Sequence, residues 1–204
     1  MKILKITTGP LAVNTYFLIN EISNKAVMID GGHLHKQIKD FADKNGFTIT
    51  AELLTHSHFD HSLSAKLFQK DGVKIYASLL ESEKLKNNQT LAKDFGLKAE
   101  PLIVDEVLSD GQEIVLEDIL IKVIITPGHT DGSIIFVVED KIFSGDTLFL
   151  ESYGRTDFPS GNFGDMVTSI NKILSMQGEY VVYPGHGEQT TLSHERKFNP
   201  LSRQ

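Results

Sequence analysis

The sequence predicts an α/β fold in which buried sheets are covered by helices, and three observations carry that prediction. Short β-rich runs recur along the chain, among them VNTYFLI at 13–19, KAVMID at 25–30, SIIFVVE at 133–139 and YVVYP at 180–184. Stretches with helical spacing lie between them, and interleaved strands and helices build layered domains. Polar residues of metal-binding type follow several runs directly, at His56, His129, Asp146 and His186. In open α/β sheets ligands gather beyond the carboxyl ends of strands, so the four runs are expected to deliver these side chains to one edge.

Each element follows from its local pattern. The first thirty residues are β-rich, and LHKQIKDFADKNG at 34–46 then shows helical spacing that stops at a glycine. TITAELLT at 48–55 is extended and runs into THSHFDH, after which 59–70 reads as helix and VKIYA at 73–77 as strand. The stretch 79–96 is polar and helix-compatible, with a weaker apolar face. In the second half EIVLEDILIKVIIT at 113–126, SIIFVVE and KIFSG at 141–145 are strand material, a helix is expected near 163–176, and YVVYP is the last strand.

With 204 residues and 40% hydrophobic content, the expectation is one domain spanning 1–204. A net charge of −7 without runs of like charge argues against a surface made to neutralise a phosphate backbone, so nucleic acid is not an expected partner. The chain has no cysteine, which excludes disulfides, thiolate ligands and a cysteine nucleophile. The N-terminal apolar stretches are broken by Thr, Gly, Pro and Asn, unlike a secretory signal. No apolar run reaches the roughly 18 residues a membrane span needs, and the expected location is the cytoplasm.

Any metal site must therefore use His and carboxylate. His56-Ser57-His58-Phe59-Asp60-His61 places three imidazoles and one carboxylate within six residues, beside apolar strands. Such crowding leaves several potentially charged groups near a dry core, a conflict that a metal resolves. His129, Asp146 and His186 each sit in a glycine-framed turn. Singly they read as ordinary turn chemistry, and together with the cluster they are specific. His33, His35 and His194 are read as capping, solvent-facing or terminal residues without a metal role.

THSHFDH, TPGHTDGS, FSGDTLF and YPGHG resemble, in order and spacing, the metal motifs of the metallo-β-lactamase superfamily. The likeness extends over nearly the whole chain. GPLAVNTYFL at 9–18, GRTDFP at 154–159 and ERKFNP at 195–200 are similar to its compact glyoxalase II-like branch. The resemblance implies a four-layer αβ/βα sandwich of two mixed β-sheets flanked by helices. It also implies two divalent metal ions, with zinc first and iron or manganese as alternatives. His56, His58 and His129 would hold one ion, Asp60, His61 and His186 the other, and Asp146 would bridge them. Asp30 in IDGG is the candidate to support a ligand histidine through its second ring nitrogen, ahead of Thr55 and Ser144. Arg155 either binds an anionic substrate group at the rim or pairs with Asp157, and Tyr153 either offers a hydroxyl or packs. Glu195 and Asn199 are assigned structural roles.

Such a site implies hydrolysis of an acyl bond by attack of a metal-bridging hydroxide, with Asp60 orienting the water and Asp146 holding both ions. A small-molecule thioester is the favoured substrate, because its thiolate departs without a strong general acid. Glyoxalase II-like proteins cleave hydroxyacyl thioesters of glutathione. The chain stops eighteen residues after His186, however, which leaves no room for the helical C-terminal domain of longer members. Two rivals remain: a persulfide dioxygenase with one iron on the first-site ligands, whose members share a GRTDF-like segment, and a lactonase. Antibiotic hydrolysis is disfavoured, since many β-lactamases of the superfamily carry Cys where this chain has Asp146.

Overall fold

The computed structural model describes residues 1–202. Its first sheet has the order β1 (Lys2–Thr8), β2 (Val13–Asn20), β3 (Lys25–Ile29), β4 (Thr48–Leu53), β5 (Lys74–Ser78) and β6 (Glu106–Leu108). The β1–β2–β3 pairs are antiparallel, and β3 to β6 are parallel. The parallel strands require crossovers, supplied by α1 (His35–Asn45), by α2 (Phe59–Ser62) with α3 (Ala65–Lys70), and by α4 (Leu79–Lys86) with a 3-10 turn at Ala92–Phe95.

The second sheet is built from β7 (Glu113–Leu116), β8 (Ile119–Ile125), β9 (Ile134–Val138), β10 (Lys141–Gly145), β13 (Val181–Pro184) and β14 (Thr190–Thr191), in the order β14-β13-β10-β9-β8-β7. The small hairpin of β11 (Leu148–Phe149) and β12 (Ser152–Tyr153), α5 (Phe163–Leu174) and α6 (Leu192–Phe198) complete the architecture. The run 113–126 is thus a hairpin, turned at Glu117 and Asp118 with φ of 49° and 61°. The helix expected over 59–70 breaks at Leu63 and Ser64, and that expected over 79–96 ends at Lys86.

Side-chain alternation explains the layering. In β2 and β3, Tyr16, Leu18, Val27 and Ile29 point one way and pack against Ile121, Val123, Phe136 and Phe143 of the second sheet. Phe17, Ile19, Ala26 and Met28 point the other way, onto Ile38, Ala42 and Phe68 of the helices. On the far side, Ile124, Ile135 and Val137 pack on Met166, Ile170 and Ile173 of α5 and on Leu192 of α6. The order of layers is helix, sheet, sheet, helix, with two mixed sheets as expected. Among the described residues no helix is long and apolar enough to cross a membrane.

The topology also decides where loops emerge. β8, β10 and β13 run in one direction, with the antiparallel β9 between the first two. Their carboxyl ends share one edge. The parallel strands β3, β4 and β5 of the first sheet end at the same place, because Thr55 accepts the backbone N–H of Ile134 across the two sheets at 2.9 Å.

A charged exception lies on β4. Glu52 is fully buried on its helix-facing side; Oε1 accepts the backbone N–H of Gly31 at 2.9 Å, and Oε2 has no hydrogen-bond partner. Burial pushes its carboxyl up to about 8 from an ordinary 4.5, the Gly31 hydrogen bond opposing and Asp30 adding to the rise. Below pH 4.5 both folded and unfolded states hold the proton, and between 4.5 and 8 only the folded state does. Folding stability should therefore fall as pH rises through that window, by ~3 kcal/mol at pH 7. Glu52→Gln, which mimics the protonated form, is expected to match the parent near pH 5 and exceed it at pH 8. Urea denaturation of chelator-treated protein at both pH values checks this, and parallel pH dependence in the two proteins would refute it.

Candidate metal centre

The site is assembled at the shared edge. The loop after β4 carries His56 and His58, the short α2 carries Asp60 and His61, and the turns after β8, β10 and β13 carry His129, Asp146 and His186. These residues come together in three overlapping groups: His56 with His58 and His129, His56 with His61 and Asp146, and Asp60 with His61 and His186. Within each group the potential ligand atoms lie within 4.8 Å of one another. The edge is not that of one open sheet, since the first sheet supplies the His56–His61 loop and the second supplies the other three residues.

The backbone must approach the cluster closely. A Cβ at Gly185 would collide with Asp146 Oδ1 and lie 2.7 Å from His61 Cε1. Gly128 has φ of 144°, and a Cβ there would lie 2.5 Å from the Met166 Cα on α5. Each glycine lets the neighbouring histidine turn inward.

Hydrogen bonds on the outward nitrogens fix the ring orientations. His61 Nδ1 faces Asp30 Oδ2 at 2.9 Å, His129 Nδ1 donates to the Arg155 carbonyl at 2.8 Å, and His186 Nδ1 donates to the Leu11 carbonyl at 2.9 Å. Because a carbonyl only accepts, these bonds assign the N–H to Nδ1 and leave a lone pair on the inward Nε2. His58 is reversed, with Nδ1 turned inward, 2.9 Å from His129 Nε2. His61 Nε2 and His186 Nε2 stand 3.2 Å apart. His56 Nε2 and Asp146 Oδ1 are buried without a hydrogen-bond partner. Lone pairs at such separations repel unless a proton or a cation lies between them, so this donor set fits divalent metal ions.

Asp146 lies between the groups. Its Oδ1 is 3.4 Å from His61 Nε2, and its Oδ2 is 3.6 Å from both His129 Nε2 and His186 Nε2. Burial, and then the neighbouring His61 and His58, hold His56 far below the usual histidine range, while burial and His129 push His58 down to about 2. Both are neutral at physiological pH, the form that binds a cation. Burial opposes charge on His61, yet Asp146, Asp60 and Asp30 together push it up to about 10, so its Nε2 offers a lone pair only to a cation that displaces the proton there. Asp60 stays below the carboxylate range although burial opposes ionisation, because His61 and His186 stabilise its charge. The carboxylates thus create a strongly negative potential where positive charge is held.

Asp30 sits directly behind the cluster. Its backbone is left-handed, with φ of 54°, and its carboxylate accepts the Thr55 N–H at 2.8 Å, the Thr55 hydroxyl at 2.7 Å and contacts His61 as above. The Thr55 hydroxyl also lies 3.1 Å from His56 Nδ1. Ser144 instead donates to the Leu148 carbonyl at 2.7 Å. Arg155 forms two bonds to Asp157, of 2.7 and 2.6 Å, and its guanidinium carbon lies 3.9 Å from the centre of the Phe158 ring. Tyr153 is half-buried against Phe163 with ring centroids 6.0 Å apart. Glu195 is buried and accepts from Thr190 and from the backbone of Glu151, and Asn199 donates to Glu195 and to the Ser152 carbonyl.

Three supporting residues had not been singled out from sequence. Asn14 donates to the carbonyls of Pro184 and Gly187, both at 3.0 Å, and the Tyr16 hydroxyl donates to Pro184 at 2.7 Å. These bonds clamp the His186 turn onto β2. Buried Glu81 accepts the Ser57 N–H at 2.8 Å and the Thr130 hydroxyl at 2.7 Å, joining the loops of His56 and His129. For Asn14 and Tyr16 the available signal was their polar character inside VNTYFLI, since a strand by itself does not show which loop it faces.

Two mixed sheets between helices, with a His and Asp cluster at their shared edge, define a metallo-hydrolase. The chain belongs to the metallo-β-lactamase superfamily, whose family model matches residues 8–186. Hydroxyacylglutathione hydrolase GloC of Haemophilus influenzae is 31% identical, covering 92% of each chain. Among solved structures, the BLEG-1 B3 metallo-β-lactamase superposes with a TM-score of 0.89 at 30% identity over 100% of both chains. TTHA1623, solved in a di-iron-bound form, gives a TM-score of 0.85 at 31% identity, covering 97% of this chain and 98% of that one.

Asp30→Asn keeps the size of the side chain but replaces an acceptor with a donor. Metal affinity is expected to fall about 10–100-fold, measured by competition with a chromogenic chelator. Unchanged affinity would remove Asp30 from the support of His61.

Proposed function

We propose that this chain hydrolyses the thioester of a small acyl thiol, with two divalent cations and residues 1–204 acting as one cytoplasmic domain. The observation that carries the reading is the convergence of the donors of His56, His58, His129, His61 and His186 with Asp60 and Asp146, a cluster of which His58, Asp60, His129, Asp146 and His186 line a cavity of about 410 Å³ while His56 and His61 lie buried behind them. His56, His58 and His129 would hold one cation, Asp60, His61 and His186 the other, and Asp146 would bridge them. Zinc is the first expectation, and the di-iron form of TTHA1623 supports iron as the alternative. When bound, such ions supply an acidified water and a Lewis-acid contact for the carbonyl oxygen.

The chain's own residues account for the remainder. Asp60, 8% exposed and held ionised, can accept a hydrogen bond from the attacking water and take its proton. Apart from the clustered histidines, no side chain lining the cavity among the described residues is an evident proton donor. A thiolate tolerates that lack better than an amine, and the likeness to GloC supports the same reaction class. No tyrosine lines the cavity among the described residues, which speaks against a lactonase. A mononuclear dioxygenase would leave the group of Asp60, His61 and His186 without a role.

Purified protein is expected to carry two metal ions per chain, to hydrolyse S-D-lactoylglutathione or another acyl glutathione, and to consume no oxygen with glutathione persulfide. One iron per chain with persulfide-dependent oxygen uptake would make it an oxidoreductase instead. A chromogenic cephalosporin belongs in the same assay because of the likeness to BLEG-1. His56→Ala and Asp146→Ala should each lose bound metal and lower kcat/KM by about a thousandfold or more. A fully loaded, fully active variant at either position would overturn the ligand assignment.

A further inference from the structure

The cavity above the metal centre has walls of an unexpected kind for a site that takes a polar tripeptide thioester. Leu11, Phe59, Leu91, Phe95, Phe149 and Phe158 supply half of its lining residues, and the clustered donors with Arg155 supply the rest. The aromatic walls reach the cluster itself. Phe158 meets His58 edge-on with ring centroids 5.6 Å apart, and Phe149 meets His186 at 6.3 Å. Leu11 is anchored over the same place, since its carbonyl accepts from His186 Nδ1.

The opposite wall contains a residue in an unfavourable backbone conformation. Leu91 adopts a left-handed backbone, φ 62°, which a bulky side chain seldom takes. This residue starts the 3-10 turn that places Phe95 beside Phe59, ring centroids 4.7 Å apart. Phe95 remains 51% exposed and Leu11 42% exposed, so both rims present uncovered apolar surface to whatever enters. Histidines aside, Arg155 is the one cationic side chain of the lining among the described residues, and both oxygens of Asp157 already engage its guanidinium. The walls thus reward burial of hydrocarbon and offer little to a free carboxylate.

We infer that the cavity of this hydrolase selects an apolar acyl chain, with Leu11, Phe95 and Phe158 as the residues that set the preference. The inference rests on the thioesterase reading for the chemistry and on the cavity for the selectivity, and the two are tested separately. Calorimetric binding of two unreactive thioethers, S-hexylglutathione and S-methylglutathione, to the metal-loaded enzyme measures the cavity alone. The hexyl compound is expected to bind at least about tenfold more tightly. Phe95→Ser and Leu11→Ser, both at exposed positions, are each expected to cut that ratio at least threefold while metal content stays unchanged.

Turnover of S-hexanoylglutathione against S-D-lactoylglutathione then measures the reaction, with kcat/KM at least about tenfold higher for the hexanoyl ester. Equal binding of the two thioethers, or binding of neither, would overturn the apolar preference even if lactoylglutathione is hydrolysed. Hexyl-selective binding that both variants weaken, without turnover of either thioester, would uphold the cavity's preference and remove the thioesterase reading.

Discussion

Crowded lone pairs at the shared edge of the two sheets are the constraint on which the rest of the structure depends. Buried imidazoles and carboxylates facing one another at 3.2 to 3.6 Å are unfavourable by themselves, since each was better solvated in water. Their inward orientation persists because every outward nitrogen for which the structure shows a partner has one in the protein: Asp30 for His61, Thr55 for His56, and main-chain carbonyls for His129 and His186. The scaffold's own hydrogen bonds hold the donors in this orientation, so part of the ordering cost is met by folding rather than by binding.

That preorganisation requires the two sheets to be locked in register. Apolar packing between Tyr16, Leu18 and Val27 on one side and Phe136 and Phe143 on the other is strong but non-directional. Direction comes from a few polar ties. The backbone bond from Ile134 to Thr55, the bonds of Asn14 and Tyr16 to the His186 turn, and the bonds of Glu81 to Ser57 and Thr130 each join loops from different strands. Buried groups of this kind are expensive to leave unpaired, which is why they specify one arrangement. Glu52 extends the same scheme one layer outward, since its carboxyl holds the Gly31 N–H beside Asp30.

The reactive floor and the walls above it have opposite chemical character. The floor is polar and negatively biased, whereas the walls are phenylalanine and leucine. Contact between the two, as where Phe158 and Phe149 meet His58 and His186, lowers the local dielectric around the clustered donors and strengthens electrostatic interactions there. One set of side chains can therefore serve both to recognise hydrocarbon and to keep water away from the cluster.

The sequence by itself determined the layered α/β class and the identity of the clustered donors. Apolar alternation and histidine spacing are local properties, legible in THSHFDH, TPGHTDGS and YPGHG without knowing the fold. It also pointed to Asp30 from its place in IDGG. Only tertiary structure decided that the donors come from two different sheets, that Asn14, Tyr16 and Glu81 hold their loops, and that Arg155 is engaged by Asp157. It also turned Leu91, Phe95 and Phe158 toward one cavity. Those facts depend on contacts between residues as far apart as 14 and 187, whose meeting is set by the stacking of sheets rather than by any periodicity along the chain.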